Sequence, residues 1–122
     1  MDHASKVELV ERYVAAYNDK DVESILGLYA PGATMEDPVG DPPARGHEAI
    51  GALYRKGFEM GVQIELDGAI RSAQGAVIFP LCATTAKSKL YIIDLFELDT
   101  NGRIASMRAY WSRDNLTGEL EV

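Results

Sequence analysis

The side chains of this 122-residue chain best suited to proton chemistry are two aspartates and three tyrosines, each in a stretch whose pattern otherwise asks for apolar residues. Along an extended strand successive side chains alternate between faces, so Leu90, Ile92, Asp94, Phe96 and Leu98 share one side of the run Leu90 to Leu98. Four are apolar and one is a carboxylic acid, and no Lys or Arg lies on that face. If the face is buried, desolvation favours the neutral acid and raises its pKa, which makes Asp94 a proton-bearing donor. The same pattern fits a carboxyl group that only accepts structural hydrogen bonds, or a face turned to solvent.

Asp37 shares a shorter strand face with Ala33 and Met35, while Thr34 and Glu36 point the other way. It stands at the strand's end beside a Gly- and Pro-rich loop. Partial solvation there leaves a carboxylate ionised near neutral pH, as a general base requires. An Asp before Pro is also a common turn residue. Tyr13 falls on the apolar stripe of a first helix, and Tyr29 and Tyr54 are expected on the stripes of a second and a third. Three buried phenols need partners for three hydroxyls, and a shared network supplies them most simply, whether its role is structural or functional. Other chemistries are poorly supplied: His3, His47 and Cys82 make no zinc set, and neither a Gly-rich phosphate loop nor a Gly-x-Ser-x-Gly elbow occurs. His47, beside Glu48 at a helix start, reads as a surface residue, and Glu119 and Glu121 as a solvated tail.

Positioning these groups falls to elements whose period changes halfway along the chain. Ser5 and Glu8 have the form of a capping box, after which Leu9, Val10, Tyr13, Val14 and Tyr17 recur at spacings of three and four, predicting a helix to about Asn18. Asp21 is the expected cap of a second helix through Val22, Ile25, Leu26 and Tyr29, stopped by Pro31 and Gly32. A short strand is predicted over Ala33 to Asp37, and a third helix through Ile50, Leu53, Tyr54 and Phe58. From Val62 onward, regularly recurring turn residues predict an antiparallel meander with strands 62–66, 69–73, 76–85, 90–98 and 103–111. Pro80 has no N–H to give to a ladder, so its strand is expected at an edge or bulged there. Helices first and strands after, with no linker between, make the chain α+β and a single domain over 1–122.

Composition narrows the partners. Twelve basic against nineteen acidic residues give a net charge of −7, which repels a phosphate backbone or an anionic membrane, so neither nucleic acid nor membrane is expected. The longest apolar run, Ala76 to Ala83, contains Pro80 and is too short to cross a bilayer, and the polar start Met1 to Lys6 is no signal peptide. One cysteine, Cys82, excludes an internal disulfide and makes the cytoplasm the default location.

The stretch Glu36-Asp37-Pro38-Val39-Gly40 is the most specific of several that resemble a known family. With Arg12-Tyr13-Val14, Leu28-Tyr29-Ala30, Phe96 two after Asp94, and Ser106-Met107-Arg108-Ala109-Tyr110-Trp111, the chain is similar from Val7 to Leu116 to the bacterial steroid delta-isomerases (ketosteroid isomerases). These belong to the nuclear transport factor 2-like superfold. The resemblance implies three N-terminal helices packed on a curved, largely antiparallel sheet that forms a conical pocket. It implies Asp37 as general base, Tyr13 and a protonated Asp94 as donors to the substrate oxyanion, and Tyr29 and Tyr54 as their supporting network, Tyr54 bonding directly to Tyr13. Phe58, Phe79, Met107 and Trp111 match positions that line the family's steroid pocket. Tyr17, one turn beyond Tyr13, is larger than the aliphatic residue often found there.

The implied reaction moves the double bond of a 3-oxo-Δ5 steroid to the conjugated Δ4 position, with no cofactor. Family members are usually homodimers formed through the outer sheet face, here Tyr91, Ile93 and Leu95. Three other readings compete. Another enzyme of the superfold, a polyketide cyclase or an epoxide hydrolase, could use the same pocket and aspartate. A non-catalytic steroid or lipid carrier would bind ligand without forming the conjugated enone. A purely structural dimerisation domain would have no reason to aim two carboxyl groups inward.

Overall fold

The computed structural model describes residues 1–119, and in it the first helix, α1 (His3–Asn18), begins earlier than the Ser5 capping box predicts. Asp2 is the cap, its carboxylate accepting the Ser5 N–H at 2.8 Å. A carboxylate satisfies an orphan donor as well as a hydroxyl does and is also favoured by the helix dipole, so Ser5 becomes a first-turn residue. The buried stripe of α1 includes Leu9, Val10, Tyr13 and Tyr17. Asp21 caps α2 (Val22–Leu26) as expected, but this helix ends at Gly27 and never reaches Tyr29. Tyr29 instead opens strand β1 (Tyr29–Glu36), which is followed by β2 (Ala44–Arg45) and α3 (Gly46–Glu59). The remaining strands are β3 (Gln63–Leu66), β4 (Arg71–Ala73), β5 (Ala76–Thr84), β6 (Ser88–Leu98) and β7 (Ile104–Tyr110). A single 3-10 turn, Arg113–Asn115, leads to β8 (Leu116–Gly118).

The result is an α+β fold, three helices against a curved open sheet of order β2-β1-β7-β6-β5-β3, with β4 completing the β5 edge and β8 the β6 edge. All pairings are antiparallel except β1 with β7. Pro31 and Gly32, predicted to stop a helix, lie inside β1 where its pairing with β7 shifts register between Tyr29 and Thr34, an irregularity that tolerates a residue without an N–H. His47, predicted at the surface, is half-buried there, its Nε2 3.1 Å from the Tyr29 carbonyl and 3.2 Å from that of Ala30. Carbonyls only accept, so the ring donates.

Pro80 is neither on an outer edge nor at a bulge: it pairs in register with Ile93 in the interior strand β5. Its other side falls between the end of β3, where Leu66 pairs with Leu81, and the start of β4, where Arg71 pairs with Ile78. The Pro80 carbonyl accepts the Asp67 N–H across this gap, and no partner strand waits for the missing N–H. The break in the neighbouring strand resolves the conflict.

Hydrogen bonds at two points along α1 fix its rotation on the sheet. Lys6 Nζ donates to the Ala73 carbonyl at 2.7 Å, and the Asn18 amide exchanges two bonds with the Ile64 backbone at 2.8 and 2.9 Å. Between helices and sheet, Val10, Ile25, Ile50, Val77, Phe79, Phe96 and Ile104 are fully buried. Side chains of this size contribute roughly 1.5–3 kcal/mol each on burial. The opposite sheet face leaves Tyr91, Ile93 and Tyr110 exposed, whereas Leu95, expected to be exposed with the first two, is half-buried. Glu119 is exposed, whereas Glu121 lies outside the described residues. No helix among the described residues is long and apolar enough to cross a membrane.

Candidate functional site

Helices α1 and α3 and the inner sheet face enclose a cavity of about 320 Å³, within the range of small-molecule sites. Its lining is mainly apolar but includes Asp37, Asp94, Tyr13, Tyr17, Tyr54 and Lys56. Asp94 lies in mid-sheet, opposite Phe79 on β5 and Ala109 on β7, and is 2% exposed. Phe96, two residues on, stacks edge-to-face with Tyr13 at 5.1 Å and with Phe79 at 5.0 Å. Asp94 Oδ1 is buried and has no hydrogen-bond partner among the described residues. Burial, reinforced by the charge of Asp37, pushes this carboxyl well above the usual range. That direction favours the neutral form of the acid, the form that carries a proton.

Asp37, one residue past β1, retains solvent-exposed surface. The Trp111 indole N–H donates to its Oδ1 at 2.6 Å, and the following Val39 N–H bonds the Ala109 carbonyl at 2.8 Å, tying the loop to β7. Crowding by protein atoms raises the Asp37 pKa, the Trp111 bond opposes this, and the nearby charge of Asp41 adds to it. The net shift is upward but less than at Asp94, because one oxygen keeps a donor and the other surroundings are wetter.

The three phenols form a chain whose direction follows from counting protons. Tyr54 donates to Tyr13 at 3.2 Å and contacts Tyr29 at 2.5 Å. A phenol carries one proton, so with Tyr54's committed to Tyr13 it is Tyr29 that donates to Tyr54. Tyr13 therefore keeps its own proton free at the cavity end of the chain. Burial is the largest cause raising the pKa of all three, and the charge of Asp94 is the next largest at Tyr13.

The fold thus brings Tyr13, Asp37, Asp94, Tyr54, Tyr17, Met107 and Trp111 to one cavity, with Tyr29 behind Tyr54. Two predicted pocket residues are not in its lining. Phe79 is sealed behind Tyr13 and Phe96, and Phe58 packs edge-to-face on Tyr17 at 5.0 Å. Met35, Leu90 and Ile92 line the cavity, and sharing a strand face with Asp37 or Asp94 was the available signal. Lys56 and Met60 gave none, since the exit of α3 past the cavity depends on helix placement. Among the described residues no group of three or more His, Cys, Asp and Glu side chains is arranged to hold a metal ion.

Residues 10–107 match the family model described as a SnoaL-like domain. Over 107 residues, 84% of this chain and 86% of the relative, the sequence is 39% identical to the steroid Delta-isomerase of Nocardioides simplex. It is 25% identical over 113 residues to the epoxide hydrolase LasB of Streptomyces lasalocidi, an alignment spanning 85% of this chain and 40% of that protein. Among solved structures, the epoxide hydrolase/cyclase-like enzyme SalBIII of pyran ring formation in polyether salinomycin superposes with a TM-score of 0.90 at 27% identity, over 97% of this chain and 98% of that one.

Proposed function

The chain belongs to the SnoaL-like family, and from that premise we propose that it is an isomerase converting 3-oxo-Δ5 steroids to their conjugated 3-oxo-Δ4 isomers through a dienolate. The observation that carries the reading is a buried, unpartnered Asp94 facing the same apolar cavity as Tyr13 and the more solvated Asp37. The identity to a steroid isomerase over most of both chains supports the substrate class.

In this mechanism Asp37 takes a proton from C4 of the bound steroid and returns it to C6, so no proton is gained or lost overall. Negative charge appears on the C3 oxygen in between. Tyr13 and protonated Asp94 donate to that oxygen, and donors already aimed at developing charge need not reorganise. Removing one such donor typically costs ~2.7–4 kcal/mol of transition-state stabilisation. The Tyr29 to Tyr54 to Tyr13 chain points the last phenol proton at the oxygen and supports the charge it receives. One carboxylate serves two carbons because the apolar walls hold a flat substrate beneath it. Met107, Trp111 and Tyr17 contribute to those walls.

Under the same reading two copies pair through the outer sheet face, which covers Tyr91, Ile93 and Tyr110. Sedimentation should then give twice the mass of one chain. The activity itself is tested by incubating the protein with a 3-oxo-Δ5 steroid and following the ultraviolet absorbance of the conjugated enone. The proposal requires catalysed enone formation, and its absence with confirmed ligand binding would leave a carrier. The similarity to an epoxide hydrolase and to an epoxide hydrolase/cyclase-like enzyme favours one second reading. There Asp94 would protonate an epoxide oxygen and Asp37 deprotonate the attacking hydroxyl, and catalysed opening of an epoxide probe without enone formation would identify it.

A further inference from the structure

Tyr17 brings to the cavity a hydroxyl that the isomerase mechanism does not use. Tyr17 is 7% exposed and lines the cavity, yet among the described residues its hydroxyl oxygen has no hydrogen-bond partner. That oxygen is also not sealed in protein, unlike Asp94 Oδ1, so it opens onto the cavity space. The ring is held in place by edge-to-face contacts with Phe58 at 5.0 Å and Tyr54 at 6.0 Å. Its present position depends on glycine at position 57: a Cβ there would stand 2.5 Å from the Tyr17 hydroxyl oxygen and force the ring to shift. Glycine inside a helix costs about 1 kcal/mol relative to alanine, so close approach of the phenol gives Gly57 a reason to be there.

We propose that Tyr17, seated on Gly57, is a specificity-determining residue that hydrogen-bonds a second oxygen of the substrate, so that the site selects an oxygenated steroid over an otherwise apolar one. This deepens the isomerase reading and rests on it for the position of the reacting carbonyl. An apolar ligand closing the cavity would desolvate the phenol and leave it unpaired, whereas a ligand hydroxyl opposite it restores the bond. A site built with a polar partner discriminates this way against the analogue that lacks one. Four residues along a helix advance about 6 Å, so if Tyr13 meets the C3 oxygen, Tyr17 addresses the second or third ring of the skeleton. Burial and the charge of Asp37 push its pKa up to about 12, so the phenol stays protonated.

The test is equilibrium binding of defined probes to wild-type protein, Tyr17→Phe and Gly57→Ala. The probes are a 3-oxo-Δ4 steroid with no second oxygen and the same skeleton hydroxylated singly at C6, C7, C11 or C12. For at least one hydroxylated probe, Tyr17→Phe should lose about tenfold in affinity, while the parent probe binds as tightly or more tightly. Gly57→Ala displaces the hydroxyl without removing it and should weaken the same probe selectively. If the steroids bind but no hydroxylated probe loses more than twofold relative to the parent in either variant, the inference is overturned and the isomerase reading stands. If no steroid binds the wild-type protein, both fall together. Thermal unfolding of each variant separates misfolding from a lost contact, and a folded Tyr17→Phe is by itself enough to decide between these outcomes.

Discussion

At its inner end the cavity strips a carboxyl group of water and gives it no partner; farther out it leaves a second one wet and supplies an indole N–H. Asp94 sits between Phe79 and Ala109 with its Oδ1 unbonded, whereas Asp37 accepts from Trp111 at 2.6 Å and keeps contact with solvent. Both pKa values rise, Asp94 the more. The contrast teaches that surroundings, rather than residue type, set two aspartates apart, and the proposed mechanism uses that difference to divide the work of acid and base. Reversing the roles would place an ionised carboxylate in the drier setting, where the cost of losing hydration is larger.

The largest expected effect breaks the outer half of this contrast. Asp37→Asn keeps the shape and removes the base, so steady-state turnover of a 3-oxo-Δ5 steroid should fall ~10²–10⁴-fold while binding of the product steroid is retained. Near-normal turnover would show that Asp37 is not the base. Asp94→Leu breaks the inner half. It should lower kcat ~10²–10³-fold yet raise stability in urea unfolding by about 1–3 kcal/mol, because a buried polar group without a partner disappears. Tyr54→Phe leaves both aspartates and Tyr13 in place and only interrupts the phenol chain. A loss of about tenfold in kcat is expected, the scale of one net hydrogen bond.

Two pH measurements sharpen the comparison further. The folded state holds the Asp94 proton above 3.8, where the unfolded chain has released it. The stability linked to this group is therefore complete below 3.8 and is lost as pH rises through the raised folded value. Asp94→Leu should remove that decline, so its advantage over wild type in unfolding experiments grows from acid toward neutral pH. The smallest effect concerns the mouth. Trp111→Phe deletes the donor that favours the Asp37 carboxylate, which raises the Asp37 pKa further and moves the acid limb of kcat/KM to higher pH. An unmoved limb would mean that the indole bond does not tune this group.

Period alone made much of this legible. The change from helical to strand spacing gave the class, and alternation along Leu90 to Leu98 grouped Asp94 with Ile92 and Phe96 on one face, leaving open whether that face is buried; the structure turns it inward. What sequence pattern missed has physical causes. Tyr29 followed a helical spacing that Gly27 had already ended, and Pro31 was read as a stop when a strand irregularity accommodates it. Pro80 looked incompatible with an interior strand because the gap between β3 and β4 is a property of its neighbours. Phe79 shares the face of Asp94 but is roofed by Tyr13, a contact set by how α1 is tied at Ala73 and Ile64. The Tyr17 and Gly57 contact joins two helices forty residues apart, beyond any local signal.

The charge state of Asp94 is read most directly by carbon-13 NMR of its carboxyl carbon in the ligand-free protein, titrated across neutrality with Asp94→Asn used for assignment. A carboxyl shift typical of the protonated acid at pH 7, with Asp37 already ionised, is the expected result. A deprotonated Asp94 at that pH would contradict the division of roles between the two aspartates.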